Sequence, residues 1–388
     1  MEENNADIGI LTFHCADNFG AMLQAYGLKK YLCDKGMQAE VIRYEPFFMT
    51  GRHWFIPYTP REDKTGRKWY GWILRDALGG MKTNLERWGI FRKRRFHMRK
   101  FRENYLIDRK RHKILFPGGM KYLPYTYYIV GSDQIWNPEI TCGLREVYFG
   151  AFRNRKKKRV IAYGASMGGT GLGSRYDEEF SRLIQYLDVV SLREEAAIPY
   201  LKRFYERDVT AVLDPVFLPG RDAFRKIEKK PGRKHYILVY ITERNRDLAE
   251  YVQKLSREKG LAGIELCTSW LTAEAGFEVD FTAGPAEFLG YIDEADYVVS
   301  NSFHVVAFSI IFRKKFLAFV HSSRGTRIRN ILQIHGLGDR LCGHGADIDA
   351  FVDWKDVERK TEEKVREAKA FLLENVTGQH GGREESRE

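Results

Sequence analysis

Short apolar, β-prone runs recur along the chain, each closing in a polar turn and followed by apolar residues at helical spacing. The first, residues 8–13, leads into His14-Cys15-Ala16-Asp17-Asn18-Phe19-Gly20, after which Ala21, Ala25, Leu28 and Leu32 mark one helical stripe and Gly36 a stop. A second strand at 41–44 completes a βαβ opening. The same alternation predicts strands at 127–130, 159–163, 189–192 and 210–213, then at 236–241, 264–267, 297–299 and 316–319. Helices are expected near 246–259, from Pro285, from His304 and over 328–334, and a charged helix from 354 to 376. Residues 220–234 are charged and turn-rich and read as a linker. The prediction is an α/β protein of two Rossmann-like domains, 1–220 and 235–345, facing a central cleft, with a C-terminal helix and a disordered tail over 346–388. No repeat of solenoid period is present.

Residues 46–120 break the pattern. They are rich in Trp, Tyr, Arg and Gly without sheet periodicity, and read as an insertion holding one or two helices over the cleft. The insertion also carries the charge. The chain has a formal net charge of +12, and residues 92–113 contribute 11 Lys/Arg against 2 Asp/Glu, or +9. Aromatic residues interleave with these cations through 91–113, so three readings compete: a solvated helix face, a nucleic-acid patch, and contact with an anionic membrane or glycan carrier. No nucleic-acid-binding motif accompanies the segment, and nucleic acid ranks last. Hydrophobic content of 44% and aromatic content of 14% describe a globular chain of 388 residues, long enough for two domains with a core each. There is no run of about 18 apolar residues to span a bilayer. The acidic, polar opening residues 1–7 carry no signal-peptide core, and five scattered cysteines lack metal-ligand spacing. The expectation is a cytoplasmic protein, peripheral at the inner face of the membrane, with neither disulfides nor metal.

Candidate chemistry collects where strands end, the place at which open α/β sheets bind ligands. Tyr297-Val298-Val299 runs into Ser300-Asn301-Ser302-Phe303-His304 and a helix start, whose unpaired N–H groups and partial positive charge suit phosphate or carboxylate. Ser300 or Ser302 can cap that helix, and His304 can bind an anion, move a proton, or simply pack. Asp133 ends another strand as a candidate acid or base, or as a turn former. Arg193 suits a bidentate grip on an anion, or an ion pair with Glu194 or Glu195. Asp214 faces the cleft or makes a turn; Asn18 and Gly20 close the first strand, and Gln24 lies one turn inside the helix. The first loop lacks the GxGxxG dinucleotide pattern. Residues 321–327 form a basic polar loop before the helix at 328.

Five motifs then occur in order: Asn18-Phe19-Gly20-Ala21-Met22-Leu23-Gln24-Ala25-Tyr26, Gly131-Ser132-Asp133-Gln134-Ile135-Trp136, Ser191-Leu192-Arg193-Glu194, Leu213-Asp214-Pro215-Val216 and Ser300-Asn301-Ser302-Phe303-His304. Together they resemble the polysaccharide pyruvyl transferase family over roughly residues 8–335. The resemblance implies transfer from phosphoenolpyruvate to two hydroxyls of a sugar, giving a pyruvate ketal on a bacterial surface glycan or its lipid-linked precursor. It also implies an architecture similar to the GT-B glycosyltransferases, with no metal or cofactor beyond the donor substrate. Its donor-site arginine and histidine map to Arg193 and His304. Where characterised members carry a second arginine before that histidine, this chain has Ser302-Phe303, so phosphate falls to Ser302, the helix N-terminus or Arg327. Under this reading His304 and Asp133 are the catalytic pair, and Arg193, Asn18, Gly20, Asp214, Asn301, Ser302 and Arg327 bind substrate. Two alternatives stand beside it. One is a GT-B nucleotide-sugar glycosyltransferase gripping a ribose through a carboxylate such as Glu287; the other is a non-catalytic glycan- or membrane-associated assembly protein acting through the basic segment.

Overall fold

The computed structural model describes residues 8–51, 54, 67–152, 158–267, 275–320, 325–343 and 346–377, with backbone alone for 67–76 and 377. The opening residues 1–7, part of the insertion (52–53 and 55–66), the loop residues 321–324 and the tail beyond 377 lie outside the described residues.

The N-terminal half is a parallel sheet of β1 (Ile8–Leu11), β2 (Ala39–Val41), β3 (Tyr127–Asp133), β4 (Arg159–Ala165), β5 (Val189–Leu192) and β6 (Val209–Ala211), in the order β2-β1-β3-β4-β5-β6. The C-terminal half contains β7 (Tyr236–Tyr240), β8 (Ala262–Leu266), β9 (Glu278–Asp280), β10 (Tyr297–Ser300) and β11 (Lys315–Ala318), ordered β11-β10-β7-β8-β9 and again parallel. Both are doubly wound sheets, whose short runs of Val, Ile and Leu are buried on two faces. The strand order reverses between β1 and β3 in the first sheet and between β7 and β10 in the second. Those two switch points are where crevices open beyond the strands' carboxyl ends.

The longer helices are α1 (Phe19–Asp34), α2 (Arg67–Glu86), α3 (Trp88–Phe101), α4 (Asp177–Ile184), α5 (Arg246–Lys259), α6 (Pro285–Glu294), α7 (Phe303–Ile311), α8 (Gly325–Ile334) and α9 (Trp354–Thr377). The insertion thus carries two consecutive helices, α2 and α3, parted at Arg87. The linker region holds a short helix, Arg221–Arg225. Edge strand β9 goes unpredicted: its three residues, Glu-Val-Asp, offer neither a β-branched run nor an alternation long enough to read.

Each half does not keep a core to itself. One apolar cluster joins Ile8 and Ile10 of β1, most of α1, Leu238 of β7, Phe288 of α6, Phe308 of α7 and Leu372 of α9. Separate clusters cover the outer faces of the two sheets. Helix α1 is buried nearly all round, as a helix sandwiched between layers must be. The Phe19 ring lies 4.9 Å from that of Phe288, and the Tyr26 ring 5.7 Å from that of Phe224, across the seam. At Gly27 the backbone approaches Pro215 so closely that a Cβ would meet its carbonyl oxygen at 2.4 Å. Helix α9 returns to the first half, where Arg159 Nη2 donates to Asn375 Oδ1 at 2.9 Å.

Candidate active site

At the first switch point the end of β1 is tied to the end of β3: Thr12 Oγ1 donates to the Ser132 carbonyl at 3.1 Å and accepts from Gln24 Nε2 at 2.7 Å. Gln24 is fully buried and holds this loop from beneath. Asn18 is the N-cap of α1, with Oδ1 accepting from Ala21 N at 3.0 Å, and its side chain is otherwise at the surface. Two residues on, Gly20 lies under the imidazole of His304, and a Cβ there would stand 2.0 Å from Nδ1. That contact brings an N-terminal loop against a C-terminal helix and places the site between the two sheets.

Arg193, one residue past β5, is the centre of the arrangement. It is buried, and its Nη2 reaches Asp214 Oδ2 at 2.8 Å and Ser132 Oγ at 2.6 Å. Nη1 stands 4.0 Å from Asp133 Oδ1, and neither Nη1 nor Nε has a hydrogen-bond partner. The partner expected from sequence, Glu194 or Glu195, is not the one used. Asp214 sits in the 214–217 turn, where Oδ1 also accepts from Val216 N at 3.1 Å. Burial alone would raise its carboxyl, but Arg193 and His304 outweigh that and hold it at about 2. Asp133 is in the left-handed region at φ 73°, its Oδ1 accepting from Gln134 N at 2.8 Å. A non-glycine residue held in that conformation beside a buried guanidinium is a mark of functional sites.

The second switch point supplies His304 on the first turn of α7, with Nε2 buried, unpartnered and 3.7 Å from Asp214 Oδ2. Ser302 is the positional N-cap but its hydroxyl makes no cap bond; Ser300 Oγ accepts from Ser302 N at 3.0 Å and donates to the Tyr240 carbonyl. Asn301 is spent on the fold. Its Oδ1 accepts from Thr242 N at 2.8 Å and from Thr242 Oγ1 at 3.1 Å, and its Nδ2 donates to the Glu243 carbonyl at 2.7 Å, stitching β10 to β7. Phe303 gathers cations: the guanidinium carbons of Arg193 and Arg327 lie 5.1 and 5.6 Å from its ring centroid.

The structure therefore brings Arg193, Asp214, Asp133, His304, Ser302, Gly20 and Arg327 to one seam, while Asn18 caps and Asn301 stitches beside it. Glu287 is occupied elsewhere. Its Oε2 accepts from Gly284 N at 3.0 Å and its Oε1 pairs with Lys229 at 3.1 Å. Three contributors escaped the sequence reading: Ser132 and Phe303, which touch Arg193, and Glu194, a buried carboxyl. Glu194 Oε1 accepts from Ser166 Oγ at 2.6 Å while Oε2 has no partner. Burial raises this carboxyl, and Arg193 and Arg327 work against the rise. A buried, partly unsatisfied guanidinium, an unpartnered imidazole and a helix N-terminus form a cradle for a small multivalent anion.

The family model described as polysaccharide pyruvyl transferase matches residues 18–323. No curated protein matches the chain at a significant level. Among solved structures, the UDP-GlcNAc 2-epimerase from Methanocaldococcus jannaschii aligns at 11% identity and TM-score 0.43, over 93% of each chain. A MnaA–UDP co-structure from S. aureus aligns at 11% identity and TM-score 0.48, over 96% of this chain and 91% of that one. The E. coli heptosyltransferase WaaC, with ADP-2-deoxy-2-fluoro heptose, aligns at 9% identity and TM-score 0.38, over 92% and 99%.

Proposed function

The chain belongs to the polysaccharide pyruvyl transferase family, and from that premise we propose that it moves a pyruvyl group from phosphoenolpyruvate to two hydroxyls of a glycan. The observation that carries the reading is Arg193, buried with Nε and Nη1 unpartnered between Asp133, Asp214 and the His304 imidazole. Buried donors without partners are costly, and an anionic ligand relieves that cost.

In this reading Arg193 takes the carboxylate or phosphate of the donor, assisted by Arg327, Ser302 and the start of α7. His304, 3.7 Å from the Asp214 carboxylate, holds the phosphate or delivers a proton to C3 of the enol. As C3 gains that proton, C2 becomes electrophilic and a sugar hydroxyl adds there, losing its proton to a base for which Asp133 is the candidate. The second hydroxyl then displaces inorganic phosphate from C2 and closes the ketal. Donor and diol give ketal and phosphate, with no redox change and no further reactant. The glycan enters between the two halves, and activity at the inner face of the membrane would fit an acceptor carried on lipid. Among the described residues no helix is long and apolar enough to cross a membrane.

Calorimetry with phosphoenolpyruvate on the wild type, Arg193→Ala and His304→Ala tests the donor site. Binding that both changes weaken by at least about 1.4 kcal/mol, tenfold in affinity, supports it. No binding, with uridine or guanosine diphosphate binding instead, would replace this reading with a nucleotide-sugar glycosyltransferase.

A further inference from the structure

The strongest charged feature outside the Arg193–His304 site is a cavity of about 510 Å³ against α3, where Arg92, Lys93, Arg95, Arg99 and Arg102 face one carboxylate, Asp17. That size suits a ligand headgroup. It adjoins the candidate site through the β1–α1 loop. Arg102 Nη1 donates to the Cys15 carbonyl at 3.5 Å, Asp17 precedes the Asn18 cap, and Gly20 lies under His304. Helix α3 also reaches the other half, where His97 Nδ1 donates to the Thr282 carbonyl at 2.8 Å. The cavity therefore sits beside the mouth of the cleft.

The cations do not behave like a solvated helix face. On α9, such a face is visible: Arg359 and Lys360 pair with Asp356, and Lys364 with Glu367. Among the described residues, Arg92, Lys93, Arg99 and Arg102 have no carboxylate within ion-pair distance, and Arg102 Nε is buried without a hydrogen-bond partner. Like charges such as these, gathered around one cavity, repel one another unless an anion of more than one charge sits among them. Helices α2 and α3 also leave apolar side chains in water. Leu78, Leu85 and Trp88 are 51%, 66% and 47% exposed. A multivalent anion joined to an apolar chain satisfies both halves of this surface, whereas a free sugar phosphate satisfies only the first.

We infer that this cavity binds the diphosphate of a lipid-linked glycan acceptor, with the lipid lying along the exposed apolar positions of α2 and α3 and the glycan directed into the cleft. The acceptor role rests on the pyruvyl transfer reading; the diphosphate site does not.

The test is calorimetry on the full chain with farnesyl diphosphate, inorganic pyrophosphate and phosphatidylglycerol vesicles, repeated on Arg92→Glu/Arg99→Glu and on the milder Arg92→Gln/Arg99→Gln. Both positions are exposed, and circular dichroism checks that the fold is kept. Farnesyl diphosphate should bind the wild type, lose affinity at least tenfold in the charge-reversed chain and less in the neutral one, and be displaced by pyrophosphate. Phosphoenolpyruvate affinity should stay within twofold in both variants. Diphosphate binding that ignores these changes, or is absent, overturns the inference; so does binding of the vesicles alone, which would make the insertion a plain membrane contact. If the diphosphate binds and phosphoenolpyruvate does not, the cavity stands and the donor reading falls.

Discussion

Gly20 is the residue whose absence of a side chain matters most, because any Cβ would enter the space of the His304 ring. Gly20→Ala is expected to displace the imidazole and to lower turnover or donor affinity at least tenfold, with a stability cost of about 1–3 kcal/mol from overpacking. The double variant decides the cause: in a His304→Ala background the same change should cost almost nothing further. Equal costs in both backgrounds would mean that Gly20 acts by some other route. His14, in the same loop, gives a pH signature. It is fully buried with Nδ1 donating to the Thr12 carbonyl and Nε2 unpartnered. Burial lowers it to about 4, with Arg102 adding to the effect. The unfolded chain takes up this proton near pH 6.5, so the contribution is intact above 6.5 and is lost as pH falls toward 4. By linkage it amounts to about 2–3 kcal/mol between pH 7 and 4.5. Denaturant titrations should show stability falling across that window, and His14→Gln should flatten the slope. An unchanged slope in the variant would assign the pH dependence to other groups. At this scale the strand ends were readable, since a polar residue just past an apolar run announces itself. Partners were not: Arg193 reaches Asp214 and Ser132, not its neighbours Glu194 and Glu195, because the end of β3 and the 214 turn meet the end of β5 only in three dimensions.

At the level of elements, periodicity located the strands other than β9 and the long helices outside the insertion to within a few residues, because each of those strands is an apolar run bounded by turn residues. What periodicity cannot show is which polar group is consumed in making the element. Asn18 and Asn301 both sit where a ligand contact would, yet one caps α1 and the other joins β10 to β7. This yields a separable pair of outcomes at Asn18. Replacement by Ala removes an N-cap and should cost about 1 kcal/mol, read as a lower denaturation midpoint; replacement by Ser or Asp should restore stability. A Michaelis constant that recovers along with stability assigns Asn18 to the helix alone, while one that stays high in the stable Ser variant shows an additional contact with substrate. The insertion follows the same logic in reverse. Its charge run was legible, but that the charges enclose a cavity rather than coat a face depends on where the β1–α1 loop lies against α3.

For the whole molecule, two halves were legible and the core that they share was not. Helix α1 read as carrying one apolar stripe, whereas it is buried on nearly every side, because the second half packs on the face that the first sheet leaves open. A core shared in this way predicts one cooperative unfolding transition instead of two. Phe288 of α6 tests it. Its ring is 1% exposed and touches Phe19 of the first half at 4.9 Å as well as Tyr240 at 5.8 Å. Phe288→Ala opens a cavity at the seam and should cost about 3–5 kcal/mol. Scanning calorimetry should then show one peak moved down in temperature, its calorimetric and van't Hoff enthalpies still agreeing. A second peak left at the wild-type temperature would mean that the halves hold together separately. The distinction reaches the site, since Arg193, Asp133 and Asp214 come from one half and His304 from the other. With a continuous core the 3.7 Å approach of His304 to Asp214 is fixed by folding itself. Phe288→Ala should therefore lose donor affinity in step with stability, even though no atom of Phe288 belongs to the cradle.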